Sequence, residues 1–216
     1  MQDIDAFQPV IVEQIRNLGS QWGDMSDARF WNEDDARAYL LWLLCKAPGL
    51  VVDVSDPKCG GRLWRVPLAH AECLGARRRG GLQGAFDIVV FTEDSIRKYV
   101  REIRWDQNGW QERLRTVPVL AAIELKNKGQ PWTTGKNSIE MDLEKLLHRM
   151  QTDPIEHGYL VVLYDAEKYF LAWEHVSNRI KEIGDRYPRK QNITVCFFPW
   201  SRQPVEQKWF DIDTVS

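Results

Sequence analysis

The chain has 216 residues, 44% of them hydrophobic and 28% charged, with a formal net charge of −2. That length suits one domain with a stable core, the composition excludes a low-complexity chain, and the near-neutral balance excludes nucleic-acid binding through global charge. No apolar run approaches the roughly 20 residues that cross a bilayer, and Met1-Gln2-Asp3-Ile4-Asp5 lacks a basic, apolar leader, so the expectation is a cytoplasmic protein with reduced thiols and no membrane partner.

A short helix is expected at Val10–Leu18, stopped by Gly19. A stronger one covers Glu33–Lys46: Asn32 is a good N-cap, the acids Glu33, Asp34 and Asp35 sit in its positive first turn, and Pro48-Gly49 ends it. Ala36, Leu40, Leu43 and Leu44 recur at helical spacing as its buried stripe. Leu50–Val54, Leu63–Leu68, Ala85–Phe91 and Val117–Leu125 then read as strands. Phe86, Ile88 and Val90 alternate with Asp87 and Val89, whereas Val119–Ile123 is apolar on both sides, as in a central strand. Ile139–Met150 reads as an amphipathic helix with Leu143, Leu146, Leu147 and Met150 inward. Tyr159–Tyr164 follows as a strand, Tyr169–Ile183 as a helix and Ile193–Phe198 as a last strand. Trp209 and Phe210, in the tail from Gln203 onward, dock on the core or on a second subunit. Strands mixed with helices at these lengths indicate an α/β domain layered around a mixed sheet.

Charge is unevenly placed. Residues 77–136 carry twelve Lys/Arg against seven Asp/Glu, and both flanking segments are acidic, which suits a phosphate-bearing partner or reflects solvated faces. Arg77-Arg78-Arg79 leads into Gly80-Gly81, a basic loop open to phosphate binding or to solvent alone. Cys59, His70 and Cys73 match no common zinc spacing, and His148 and His157 read as surface or packing residues.

The chemistry sits where charge interrupts apolar strands. Asp87 breaks Ala85–Phe91, and Glu124 and Lys126 end the run from Val119. Residues two apart in a strand share a face, so Glu124 and Lys126 point the same way. Such groups need compensation by pairing or by a metal. If the Asp87 strand is the neighbour, which a 37-residue excursion containing its own hairpin permits, the three groups converge. Two carboxylates and a carbonyl suit a hard cation such as Mg²⁺. The alternative is a structural Glu–Lys pair beside an unrelated Asp.

The ordered set resembles the PD-(D/E)XK nuclease superfamily, also called restriction-endonuclease-like. The order runs Asn32-Glu33 at a helix start, Gly84-Ala85-Phe86-Asp87-Ile88-Val89, Ala122-Ile123-Glu124-Leu125-Lys126-Asn127, Asp142-Leu143-Glu144-Lys145-Leu146, and then Tyr159–Tyr164. Phe86 stands where the family's eponymous Pro would be. The likeness covers about residues 30–165, which implies an N-terminal extension over 1–29 and a nuclease domain over 30–216 with C-terminal additions from about 166. It implies an α/β fold, a mixed sheet flanked by helices, and a Mg²⁺- or Mn²⁺-dependent phosphodiester hydrolase, a DNA endonuclease whose setting (restriction, repair, mobile-element biology or phage defence) the residues leave open. RNA is the variant substrate, and a homodimer or larger assembly is compatible with it. A module that kept the fold for nucleic-acid binding or assembly and lost turnover is the alternative.

By that resemblance Asp87, Glu124 and the Leu125 carbonyl are metal ligands and Lys126 orients the attacking water. Glu33 resembles the first-helix acid that binds metal or a metal-bound water, unless it only stabilises the helix dipole; Asp34 or Asp35 could serve the same way. Asp142 and Lys145, one helical turn apart, form a supporting pair near the site or a surface ion pair. In the loop after the Glu124 strand, Lys128 and Lys136 offer phosphate contacts, and Trp132 offers a base-stacking surface or a hydrophobic plug.

Overall fold

The computed structural model describes residues 4–24, 32–55, 63–71, 86–102, 117–128, 139–187, 192–203 and 205–213. Among these residues two sheets carry eight strands: β1 (Val51–Ser55), β2 (Leu63–Pro67), β3 (Ala69–Ala71), β4 (Ile88–Phe91), β5 (Val119–Lys128), β6 (Ile155–Asp165), β7 (Asn192–Trp200) and β8 (Lys208–Asp213). β1 and β2 pair as a hairpin, and the rest form one six-stranded sheet in the order β3-β4-β5-β6-β7-β8. β3, β4 and β5 run antiparallel to one another, β5, β6 and β7 run parallel, and β8 returns antiparallel along β7. The result is a mixed α/β domain with helices on both faces of a mixed sheet. Among the described residues no helix is long and apolar enough to cross a membrane.

Among the described residues five helices accompany the strands: α1 (Ile4–Asp24), α2 (Glu33–Lys46), α3 (Glu93–Glu102), α4 (Ile139–Thr152) and α5 (Trp173–Gly184). α4 and α5 bridge the parallel pairs β5–β6 and β6–β7, as parallel strands require. Their face of the sheet is fixed by Gly158, where an added Cβ would stand 3.0 Å from Met150 Sδ and 3.5 Å from Leu146 Cδ2, both on α4. α1 covers the opposite face. Gly19 does not end α1, contrary to the expectation from sequence: the helix runs through it to Asp24. A Cβ at Gly19 would lie 1.9 Å from Phe198 Cδ1, so this glycine serves the close approach of α1 to β7. Ile11, Ile15, Leu18 and Trp22 of α1 are thereby buried in the common core.

α2 begins where its composition directs. Asn32 and Asp35 form a reciprocal capping box, and Ala36, Leu40 and Leu44 are buried while Leu43 is only partly so. β5 is covered on both sides, with Val119, Leu120, Ala121, Ala122, Ile123 and Leu125 all buried. The excursion between β4 and β5 differs from the expected hairpin in its described part, since it opens with α3. Thr92 Oγ1 accepts from Ser95 N at 3.0 Å to cap that helix, and Ser95 Oγ donates to the Pro118 carbonyl at 2.8 Å, tying α3 to the start of β5. The tail docks on the core as β8, with Trp209 edge-on to Phe198 and Phe210 packed against Phe197 and Trp173.

Candidate metal and phosphate site

β4 and β5 pair through Ile88–Ile123 and Val89–Ala122. One further register step brings Asp87 level with Glu124, although β4 itself starts only at Ile88. In place of a further ladder bond, Asp87 Oδ2 accepts a hydrogen bond from the Leu125 amide at 2.7 Å. The N–H and C=O of one strand residue point to the same edge, so the Leu125 carbonyl is directed toward the gap that Asp87 occupies. Glu124 and Lys126 share the face of Gly158 by their pairing with Leu160 and Val162, which is the face that α4 covers.

The N-terminal turns of α2 and α4 complete the cluster. Lys126 Nζ lies 3.0 Å from Asp142 and 3.6 Å from Glu33. Lys145 Nζ stands 2.5 Å from Glu124 Oε1. Arg37 Nη1 reaches Asp87 at 3.4 Å while its Nη2 holds Asp34 at 2.5 Å. Asp142 and Lys145 therefore share a helical face, as expected, but each reaches a different residue of β5. Both lysines meet their carboxylates as close ion pairs.

The balance of charge is negative: Glu33, Asp87, Glu124 and Asp142 face Arg37, Lys126 and Lys145, four acids against three cations. Glu124 is only 3% exposed. Burial pushes its carboxyl well above the usual range, Lys145 opposes the shift, and the charges of Asp87 and Asp142 add to it. Burial also raises Glu33 and Asp142 against the pull of Lys126. For Lys126 burial acts downward, but Asp142 and Glu33 outweigh it and hold the amine above its ordinary value. Burial is thus the main reason that the acids are raised, and the acids in turn hold their shared lysine charged.

An oxygen-only donor set of this kind fits a hard divalent cation. Asp87, Glu124 and the Leu125 carbonyl would hold it, and Glu33 borders the same cluster through Lys126. Among the described residues no three His, Cys, Asp or Glu side chains already stand as a metal-holding group, so the set comprises two carboxylates and a main-chain oxygen.

Other residues singled out in the sequence fall elsewhere. Arg77, Arg78, Arg79, Trp132 and Lys136 lie outside the described residues, as do Cys59 and Cys73. Lys128 ends β5, but its side chain is likewise outside them. His70 bonds to the Pro67 carbonyl, and His157 stacks on Tyr159 and bonds to Thr194 Oγ1, both as packing groups. Arg37 was not anticipated, although it stands one helical turn after Glu33 and so shares its face. Comparison of the chain with family models, curated proteins and solved structures gives no significant match.

Proposed function

We propose that the chain is a metal-dependent phosphodiester hydrolase, a DNA endonuclease of restriction-endonuclease-like architecture. The observation that carries the reading is the meeting of Asp87, just ahead of β4, with Glu124 in the middle of β5, with Lys126 two residues beyond on the same strand face. The succession of α2, the antiparallel strands β3–β5, α4 and the parallel strand β6 supports it, since that order is the one the resemblance implies. Asp87, Glu124 and the Leu125 carbonyl would hold a divalent ion, which would supply Lewis-acid polarisation of a phosphodiester and lower the pKa of a water.

The protein's own groups do the rest. The Leu125 amide fixes the Asp87 carboxylate, limiting the reorganisation needed when the site is used. Lys126, kept charged by Asp142 and Glu33, presents an ammonium beside the acids that orients a water or stabilises charge developing on phosphate oxygens. Arg37 offers further N–H donors next to Asp87, in the planar fork that suits phosphate. A module that binds nucleic acid without turnover is favoured by one feature, the pairing of Glu124 and Asp87 with protein cations. Incubating the full chain with single-stranded DNA, duplex DNA and RNA of one sequence, with Mg²⁺ or with EDTA, separates the two. Cleavage that needs Mg²⁺ supports the hydrolase, and retention of nucleic acid without cleavage in Mg²⁺ or Mn²⁺ supports the module.

A further inference from the structure

Among the cations of the cluster, Lys145 has the most buried partner. Lys126 pairs with Asp142 and Glu33 and Arg37 with Asp34 and Asp87, while Lys145 stands 2.5 Å from Glu124 Oε1, on a central strand of the sheet, and its charge also acts on Asp142. It comes from the second turn of α4, its Nζ lies 5.7 Å from the Phe86 ring centroid, and its side chain is 13% exposed. The contact with Oε1 is a short ion pair to a carboxylate that is only 3% exposed. A flexible four-carbon stem carrying a compact charge is well suited to leave such a contact. A second cation on the same buried carboxylate would repel it strongly, because charges interact over short range and in low dielectric here.

We propose, resting on the metal-dependent reading of this site, that the Lys145 ammonium is a resident counter-ion which a divalent cation displaces from Glu124, so that Lys145 sets the metal concentration at which the site loads. A purely structural bridge between α4 and β5 would behave differently: metal would leave the lysine where it is, and removal of the lysine would not favour metal.

The experiment uses Mn²⁺ alone as the probe, at about pH 8, where an ordinary carboxylate is ionised. Calorimetric titration is made on the full chain, on Lys145→Met and on Glu124→Gln. The expected result is loss of binding in Glu124→Gln and binding tightened about tenfold or more in Lys145→Met, the direction set by removing a like charge. Because Lys145→Met strips a buried carboxylate of its partner, the wild type provides a second readout. Labelling with an amine-reactive reagent, quantified at Lys145 by mass spectrometry, rises on saturation with Mn²⁺ and stays unchanged in Glu124→Gln. If Mn²⁺ binds through Glu124 while Lys145 labelling is constant and Lys145→Met binds no tighter, the displacement is refuted and the metal site stands. If neither the wild type nor Lys145→Met binds Mn²⁺, the metal reading itself fails, and the displacement with it.

Discussion

The Leu125 amide donates a 2.7 Å hydrogen bond to the Asp87 carboxylate, joining the residue just ahead of β4 to the backbone of β5 between Glu124 and Lys126. The bond fixes an acid from one strand against the main chain of the next, between the Glu124 and Lys126 side chains of β5. A carboxylate held this way is oriented before any ligand arrives.

The first prediction concerns Lys126. Lys126→Ala retains Mn²⁺ binding, because Asp87, Glu124 and the Leu125 carbonyl are untouched, but lowers the cleavage rate by about 10²-fold, the scale of one lost transition-state donor. Mn²⁺ calorimetry beside single-turnover cleavage checks both halves. Loss of metal binding in a folded variant would place Lys126 in the wrong role.

The second concerns the buried ion pair. Lys145→Ala leaves Glu124, 3% exposed, without its nearest cation and is expected to cost about 3–5 kcal/mol of stability, the range for breaking a buried pair on one side. The double variant Lys145→Met/Glu124→Gln, which removes both charges, recovers most of that loss in a urea melt. Equal stabilities of the single and double variants would show that Glu124 has other compensation.

The third follows from the direction in which Glu124 is displaced. Its folded-state pKa lies above the unfolded value, chiefly through burial. The folded state therefore holds the proton more tightly, so this stabilising contribution is complete below the unfolded pKa of about 4.3 and is lost as pH rises through the folded value. Glu33 and Asp142 act with the same sign. Wild-type stability in urea accordingly falls, as pH is raised above the unfolded pKa, more steeply than that of Lys145→Met/Glu124→Gln. Parallel slopes would show that Glu124 does not titrate in that window.

Much of the site could be read before the fold was seen, for a simple reason. Asp87, Glu124 and Lys126 are charges in apolar strands, and a charge there is visible as a break in pattern. β5 was equally plain, since Val119–Ile123 lacks alternation and is buried on both faces. The helix at Glu33–Lys46 carries its cap and its acidic first turn in its own residues. What escaped was set by tertiary contact. Gly19 has the local signature of a helix stop, yet its function is to let α1 approach Phe198. The strand β8 is a short edge strand that depends on pairing with β7, and α3 is mostly polar, although Thr92 followed by Glu93 and Asp94 was a readable cap. The partners of Asp142 and Lys145 could not be assigned because both reach across from a helix to a strand.

The fourth prediction tests the packing of α1. Gly19→Ala adds a Cβ that would overlap the Phe198 ring at 1.9 Å, and this overpacking is expected to destabilise the fold by about 1–3 kcal/mol. The compensating change Gly19→Ala/Phe198→Leu restores part of the loss in thermal melts. An unaffected melting temperature in Gly19→Ala would mean that α1 can lift from the sheet at little cost.

The central claim is that Asp87 and Glu124 together make a metal-dependent phosphodiesterase site, and isosteric replacement tests it most directly. Cleavage of supercoiled plasmid is measured for the wild type, Asp87→Asn and Glu124→Gln, each with Mg²⁺ and with EDTA, after circular dichroism has shown all three to be folded. The account predicts cleavage by the wild type in Mg²⁺ only, and a loss of about 10²-fold or more in each variant, as expected when an electrostatic contact to the reacting group is removed. Undiminished cleavage in EDTA, or by either folded variant in Mg²⁺, would contradict it.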